Sequence, residues 1–318
     1  MSTAEEYRRF GVLETRATSP CYEEWSLGVA DDVELIALLD ELPEPKRQPN
    51  LLFAAARYLG VPAGPFAGFR RAVLERWPEV AAVMLAKRTQ TNEPGRCAVL
   101  LPLLAALPQP LALLEVGASA GLCLFPDRYS YRYPGRDQLD PADGPSPAVL
   151  ECETTGPVPF PTKVPEIAWR AGIDLNPLDV GDPDTVRWLE TLIWPEHDYR
   201  RTRLAAAIGI VREHPPLIVA GDLNEQLTAV AATAPEDATL VVFHSAVLPY
   251  LSADERERFI ATVKGLDAHW IANEGMGVVL ADAPPSPEPD KALFLVTHNG
   301  EPVAYAAGHG QSLHWLAR

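Results

Sequence analysis

From Pro110 onward the chain alternates short apolar runs with amphipathic stretches, and this alternation limits it to a parallel β-sheet wrapped by helices. A short apolar run with no polar residue on alternate positions reads as a strand buried on both faces. Residues 111–116, 167–173, 217–220, 239–243 and 269–272 are such runs. Helical spacing between them predicts helices over 185–193, 199–212, 224–232 and 254–264. Residues 292–297 and 302–306 flank Asn299-Gly300, a pair suited to the left-handed turn of a hairpin. The expected fold is therefore α/β: a mostly parallel Rossmann-like sheet with a C-terminal antiparallel hairpin.

The first 108 residues follow a different pattern. Apolar residues recur at helical spacing over 31–42, 48–59, 66–87 and 93–107, with Pro43, Pro45, Pro62 and Pro65 between them. This predicts an N-terminal helical domain or cap, residues 1–108, ahead of a Rossmann-like domain, residues 109–318. A Pro-rich excursion over 129–165 contains two short strand-like stretches, 129–133 and 148–153, and predicts a small β-rich insertion.

Composition narrows the partners. A net charge of −16 repels phosphate backbones and anionic lipid, so nucleic acid and membrane surfaces are not expected partners. The longest apolar stretch, 98–116, is interrupted by Pro102, Pro108 and Pro110, which argues against a membrane span. The N-terminus, MSTAEEYRRF, lacks the apolar core of a secretory signal. Cys21, Cys97, Cys123 and Cys152 form no C-x-x-C pair, and the seven histidines show no H-E-x-x-H spacing, so no metal site is predicted. A cytoplasmic protein acting on a small molecule is expected, with self-association left open.

The segment LLEVGASAGLCL, starting at Leu113, is a buried strand followed by a turn carrying Glu115, Gly117, Ser119 and Gly121. Glycines there permit left-handed dihedrals and close approach, and a turn opening a helix would aim backbone N–H groups into a crevice. Two chemistries fit the same residues. G-x-S-x-G is the nucleophile elbow of α/β-hydrolases, with Ser119 as nucleophile. That reading also needs upstream strands and an oxyanion loop, whereas residues 1–108 read as helical and hold no histidine. The alternative is a cofactor loop, in which Glu115 meets a polar group of the ligand while Gly117 and Gly121 let the backbone approach.

Later strand tips support the cofactor loop. Asp174 ends the second strand, where a carboxylate can accept from ribose hydroxyls, and Asp222 ends the third, where it can accept from an adenine amino group. Either could instead cap the following helix. The fourth strand delivers His244, followed by Tyr250, and the fifth ends near Glu274; these are candidate bases and substrate ligands. Before the first strand, RTQTNEPGR brings Arg88, Asn92 and Arg96, whose polar groups could meet a cofactor carboxylate or simply start a helix.

The segment from Glu115 to Gly121 resembles the first motif of class I S-adenosylmethionine-dependent methyltransferases, with Ser119 where a glycine is commoner. Together RTQTNE, LLEVGASAGL, GIDLNPLDV, VVFHSAVLPYL and AAGHGQSLHWL resemble a bacterial family known only as a domain of unknown function, over nearly the whole chain. The resemblance implies a methyltransferase-like Rossmann fold, S-adenosylmethionine as cofactor, and roles in binding it for Glu115, Gly117, Gly121, Asp174 and Asp222. It implies no substrate. A non-catalytic protein that keeps the cofactor fold is the main alternative.

Overall fold

The computed structural model describes residues 1–318 except 17, 91, 290 and 318, so Thr91 of the RTQTNE segment lies outside the described residues. The chain opens with α1 (Thr3–Phe10), α2 (Pro20–Asp31), α3 (Val33–Asp40), α4 (Pro49–Tyr58), α5 (Phe66–Glu75) and α6 (Trp77–Ala86). Next come α7 (Arg96–Ala106), β1 (Leu111–Val116), β2 (Ser130–Arg132), β3 (Val149–Glu151), β4 (Glu153–Thr155) and β5 (Ile167–Asp174). The helices α8 (Pro183–Leu192) and α9 (Asp198–Glu213) lead to β6 (Leu217–Ala220), α10 (Leu223–Ala231), β7 (Thr239–Ser245), α11 (Ala253–Lys264) and β8 (His269–Gly275). The chain ends with β9 (Leu293–His298), β10 (Glu301–Ala307) and β11 (Ser312–Trp315).

Two compact units result. One comprises Met1–Thr91 with Gly181–Thr202, the other Asn92–Val180 with Arg203–Arg318. The division thus differs from a break at residue 108: α7 goes with the sheet, and α8 goes with the N-terminal helices. Trp188 of α8 is buried in the same cluster as Tyr22, Trp25, Phe53 and Phe69, and Asp182 caps the helix by accepting from the backbone N–H of Asp184 and Thr185. The long helical stretch 66–87 is two helices, because Pro78 lacks the N–H that a continuous helix would need.

The sheet unit carries nine strands in the order β4-β11-β10-β9-β8-β7-β1-β5-β6. The five strands β6-β5-β1-β7-β8 are mutually parallel, and β9, β10 and β11 follow antiparallel. The expected parallel sheet with an antiparallel close is therefore present, extended by β11 and by β4, which the sequence reading had not assigned. Asn299 and Gly300 both take positive φ, 53° and 85°, as the hairpin signal requires. The excursion forms a two-stranded parallel pair, β2 with β3.

Because β1 pairs with β5 on one side and β7 on the other, the crossovers reverse direction between β1 and β7. In open α/β sheets the carboxyl ends at such a reversal bound the usual ligand crevice. Side-chain alternation gives the sheet two different faces. Leu114, Val116, Val242, Trp270 and Ala272 pack with Leu227 of α10 and Phe259 of α11. Glu115, Ser245 and Asn273 point the other way, where Arg96 of α7 donates to the carbonyl oxygen of Ser245 at 3.1 Å. Among the described residues, no helix is long and apolar enough to cross a membrane.

Candidate functional site

The turn after β1 is held by its own protein. The N–H groups of Gly117 and Ala118 donate to the Ile173 carbonyl at 2.8 and 3.1 Å, and that of Gly121 to the Ala118 carbonyl at 2.7 Å. The Ser119 N–H donates to Asp174 Oδ2 at 2.8 Å, and the Ala120 N–H to Asn92 Oδ1 at 2.9 Å. All five amides of the turn are thus spent internally, and no free N–H cradle for an anion remains. The expected helix is also missing. Gly121 takes φ 72°, residues Leu122–Leu124 make one 3-10 turn, and Pro126 cannot donate the next helical bond. Tyr129 Oη takes the Leu122 carbonyl at 2.6 Å instead. An elbow serine needs the strand-turn-helix that this segment does not form.

The two conspicuous glycines are required by the protein itself. A Cβ on Gly117 would stand 2.3 Å from Val247 Cγ2, and one on Gly121 would stand 2.9 Å from Pro216 Cγ. Gly117 also takes φ 72°, where L side chains are strained. Ser119 itself holds φ 51°, its hydroxyl accepting from Asn92 Nδ2 at 2.8 Å. Asn92 therefore ties the segment before α7 to the turn through both ends of its amide.

Asp174 stands beside the turn rather than at a helix start: besides Ser119 N–H, it accepts from Asn176 N–H at 2.7 Å. Asp222 is the N-cap of α10, accepting from Asn224 N–H at 2.8 Å, which is the capping role weighed against adenine binding. Arg96 is buried and donates to carbonyls of Ser245 and Gly308. Arg88 is exposed and belongs to the helical unit, where its carbonyl accepts from Trp188 Nε1.

His244, expected as a candidate base, is buried against its neighbours. It is 0% exposed, Trp270 Nε1 donates to its Nε2 at 2.9 Å, and Nδ1 lies 2.6 Å from Glu274 Oε1. Accepting the indole proton on Nε2 places the ring hydrogen on Nδ1, so the imidazole donates to Glu274. Glu274 Oε1 also accepts from the backbone N–H of Val247 and Leu248. Both groups are fully buried on the face covered by α11, and Glu274 Oε2 has no hydrogen-bond partner. Tyr250 stands apart from this pair, 80% exposed.

Glu115 shares with Glu274 its burial and an Oε2 without a hydrogen-bond partner, but it lies on the opposite face of the sheet. Burial pushes its carboxyl well above the usual range; the Cys123 thiol adds to the rise and Arg96 opposes it. Asn273 Oδ1 on the same face is likewise buried and unpartnered, while its Nδ2 donates to Ser245 Oγ at 2.8 Å. Two orphaned polar atoms on one face at the carboxyl ends of β1 and β8 mark where a ligand could be satisfied. Sequence reading missed Asn273 because it looks like any strand polar residue until β7 and β9 enclose it.

Beside the turn lies a second buried pair that sequence reading missed. Arg203 meets Glu93 at 2.6 Å, and Glu93 Oε1 also accepts from Gly95 N–H. Gly95 must lack a side chain because the His309 carbonyl would be 2.6 Å from its Cβ, so the AAGHGQ segment packs directly on the start of α7. A hollow of about 390 Å³ lies elsewhere, wholly within the helical unit, and none of Glu115, Asp174 or Asp222 lines it.

Comparison with curated proteins and with solved structures finds no match. The chain matches over residues 4–315 the model of a family described as an uncharacterized protein conserved in bacteria, DUF2332, and it belongs to that family.

Proposed function

We propose that the sheet unit binds S-adenosylmethionine at the reversal between β1 and β7, and that the chain is a methyltransferase-like protein acting on a small molecule. The observation that carries this reading is the buried, unpartnered Glu115 Oε2 at the end of β1, beside a turn braced by Asp174 and Asn92. The spent amides of the turn favour a cofactor without phosphate over a dinucleotide, which would need free N–H groups there. Glu115 would meet a polar group of the cofactor, and Asn273 and Arg96 would border the space beside it. S-adenosylmethionine, when bound, supplies a methyl group on a cationic sulfur. The chain's part is then positioning and exclusion of water, since His244 and Glu274 are occupied with each other. Val247 covers Gly117, so binding there is accompanied by movement of that side chain.

The burial of His244 and Glu274 also supports a second reading, a protein that binds the cofactor without turnover. Isothermal titration with S-adenosylmethionine and with its demethylated product tests both: saturable binding lost in Glu115→Ala is expected. Absence of heat with either ligand, from protein whose fold is intact by circular dichroism, sinks both. Methyl transfer to a panel of small acceptors separates the first reading from the second.

A further inference from the structure

The hollow in the helical unit is lined by Arg57, Gly60, Val61, Pro62, Ala63, Thr191, Pro195 and Arg201. Its composition runs against that of the chain. The whole protein carries 43 acidic and 27 basic side chains, yet this lining holds two arginines and no carboxylate. Arg57 is the unusual member. Its NH1 donates to Tyr22 Oη and to the carbonyls of Thr191 and Ile193, all neutral oxygens. Those carbonyls belong to the end of α8, where a cation is favoured by the helix dipole. Nε and NH2 of Arg57 are not used, and no carboxylate pairs with it among the described residues. Partly exposed arginines elsewhere in the same unit do have acidic partners: Arg70 has Asp32 and Glu34, and Arg76 has Glu79.

Apart from Thr191, the rest of the lining is apolar and shaped by a tight loop. Gly60 takes φ 91°, and a Cβ added there would meet nothing within 4 Å. Val61, Pro62, Ala63 and Pro195 supply a hydrocarbon wall with little conformational freedom to lose. A volume of about 390 Å³ falls at the small end of the range for small-molecule sites.

We infer that this hollow is a binding site for a small organic anion, with its carboxylate or phosphate on Arg57 and Arg201 and an apolar body against Val61, Pro62 and Pro195. A guanidinium with one edge fixed to carbonyls presents its remaining N–H groups in a set direction, which suits an oxyanion. The inference is independent of the reading of the sheet unit, since every lining residue belongs to the helical one.

Calorimetric titration of the full chain with phenyl phosphate, benzoate and inorganic phosphate tests it. At least one of the two organic anions is expected to saturate at least about tenfold more tightly than inorganic phosphate. A preference for benzoate identifies a carboxylate ligand, and one for phenyl phosphate a phosphate ester. Arg201→Gln should weaken binding at least about tenfold with little change in Tm, because its pair with Asp198 is at the surface. Ala63→Trp, at an exposed position, should fill the hollow and abolish binding with both arginines intact. No saturation by either organic anion, equal affinity for inorganic phosphate, or binding that survives both substitutions overturns the proposal.

Discussion

Glu115 and Glu274 stand at the ends of neighbouring parts of one sheet and illustrate opposite fates for a buried acid. Glu274 gathers one imidazole and two backbone donors on Oε1 and leaves Oε2 without a partner. Glu274→Ala would orphan all three and should cost about 2–4 kcal/mol in urea denaturation, with Glu274→Gln costing less. Glu115 has no such donors, and its carboxyl binds a proton more tightly folded than unfolded. Stability is therefore lost as pH rises from the ordinary carboxyl range, near 4.5, toward the raised folded value. Glu115→Gln removes that loss, so its Tm should exceed wild type at pH 8 and approach it at pH 4.5; a mutant Tm below wild type at pH 8 contradicts this. The sequence showed both acids at strand ends, but not their difference. That difference depends on His244 and on the backbone of residues 247 and 248, which reach Glu274 only through pairing of β7 with β8. Asn92 was visible as a polar residue before a helix, yet its grip on Ser119 spans 27 positions and carries no local signature.

At the level of elements, local rules read the chain well wherever one neighbour decided the outcome. The edges of β1 and β6 follow directly from their apolar runs, and Asn299-Gly300 fixed the hairpin. Asp222 as N-cap of α10 is another such case, and Asp222→Ala should cost about 1 kcal/mol without altering the sheet, checked by chemical denaturation. The turn after β1 failed because a familiar glycine pattern suggested a helix, while Pro126 and Gly121 allowed only one 3-10 turn. Gly117→Ala tests how tightly that turn is built. The added methyl meets Val247 at a positive φ, so a loss of about 2 kcal/mol or more is expected, and Val247→Ala in the same chain should recover part of it. No recovery in the double mutant would place the cost in the backbone alone.

On the scale of the molecule, the unit boundaries were the least legible feature. The periodicity of α8 identifies a helix but not its partner; only the burial of Trp188 among N-terminal aromatics assigns it. A fragment beginning at Asn92 would therefore carry Trp188 uncovered, and it should be less soluble than the full chain and bind a hydrophobic dye such as ANS.

The same interleaving has a consequence in time. The N-terminal helices leave the ribosome roughly 110 residues before Thr202 completes their unit, a delay on the order of ten seconds at bacterial elongation rates. Throughout that interval the aromatic cluster around Phe53 lacks the indole of Trp188, so the nascent chain presents an unfinished apolar surface that trigger-type chaperones are suited to shield.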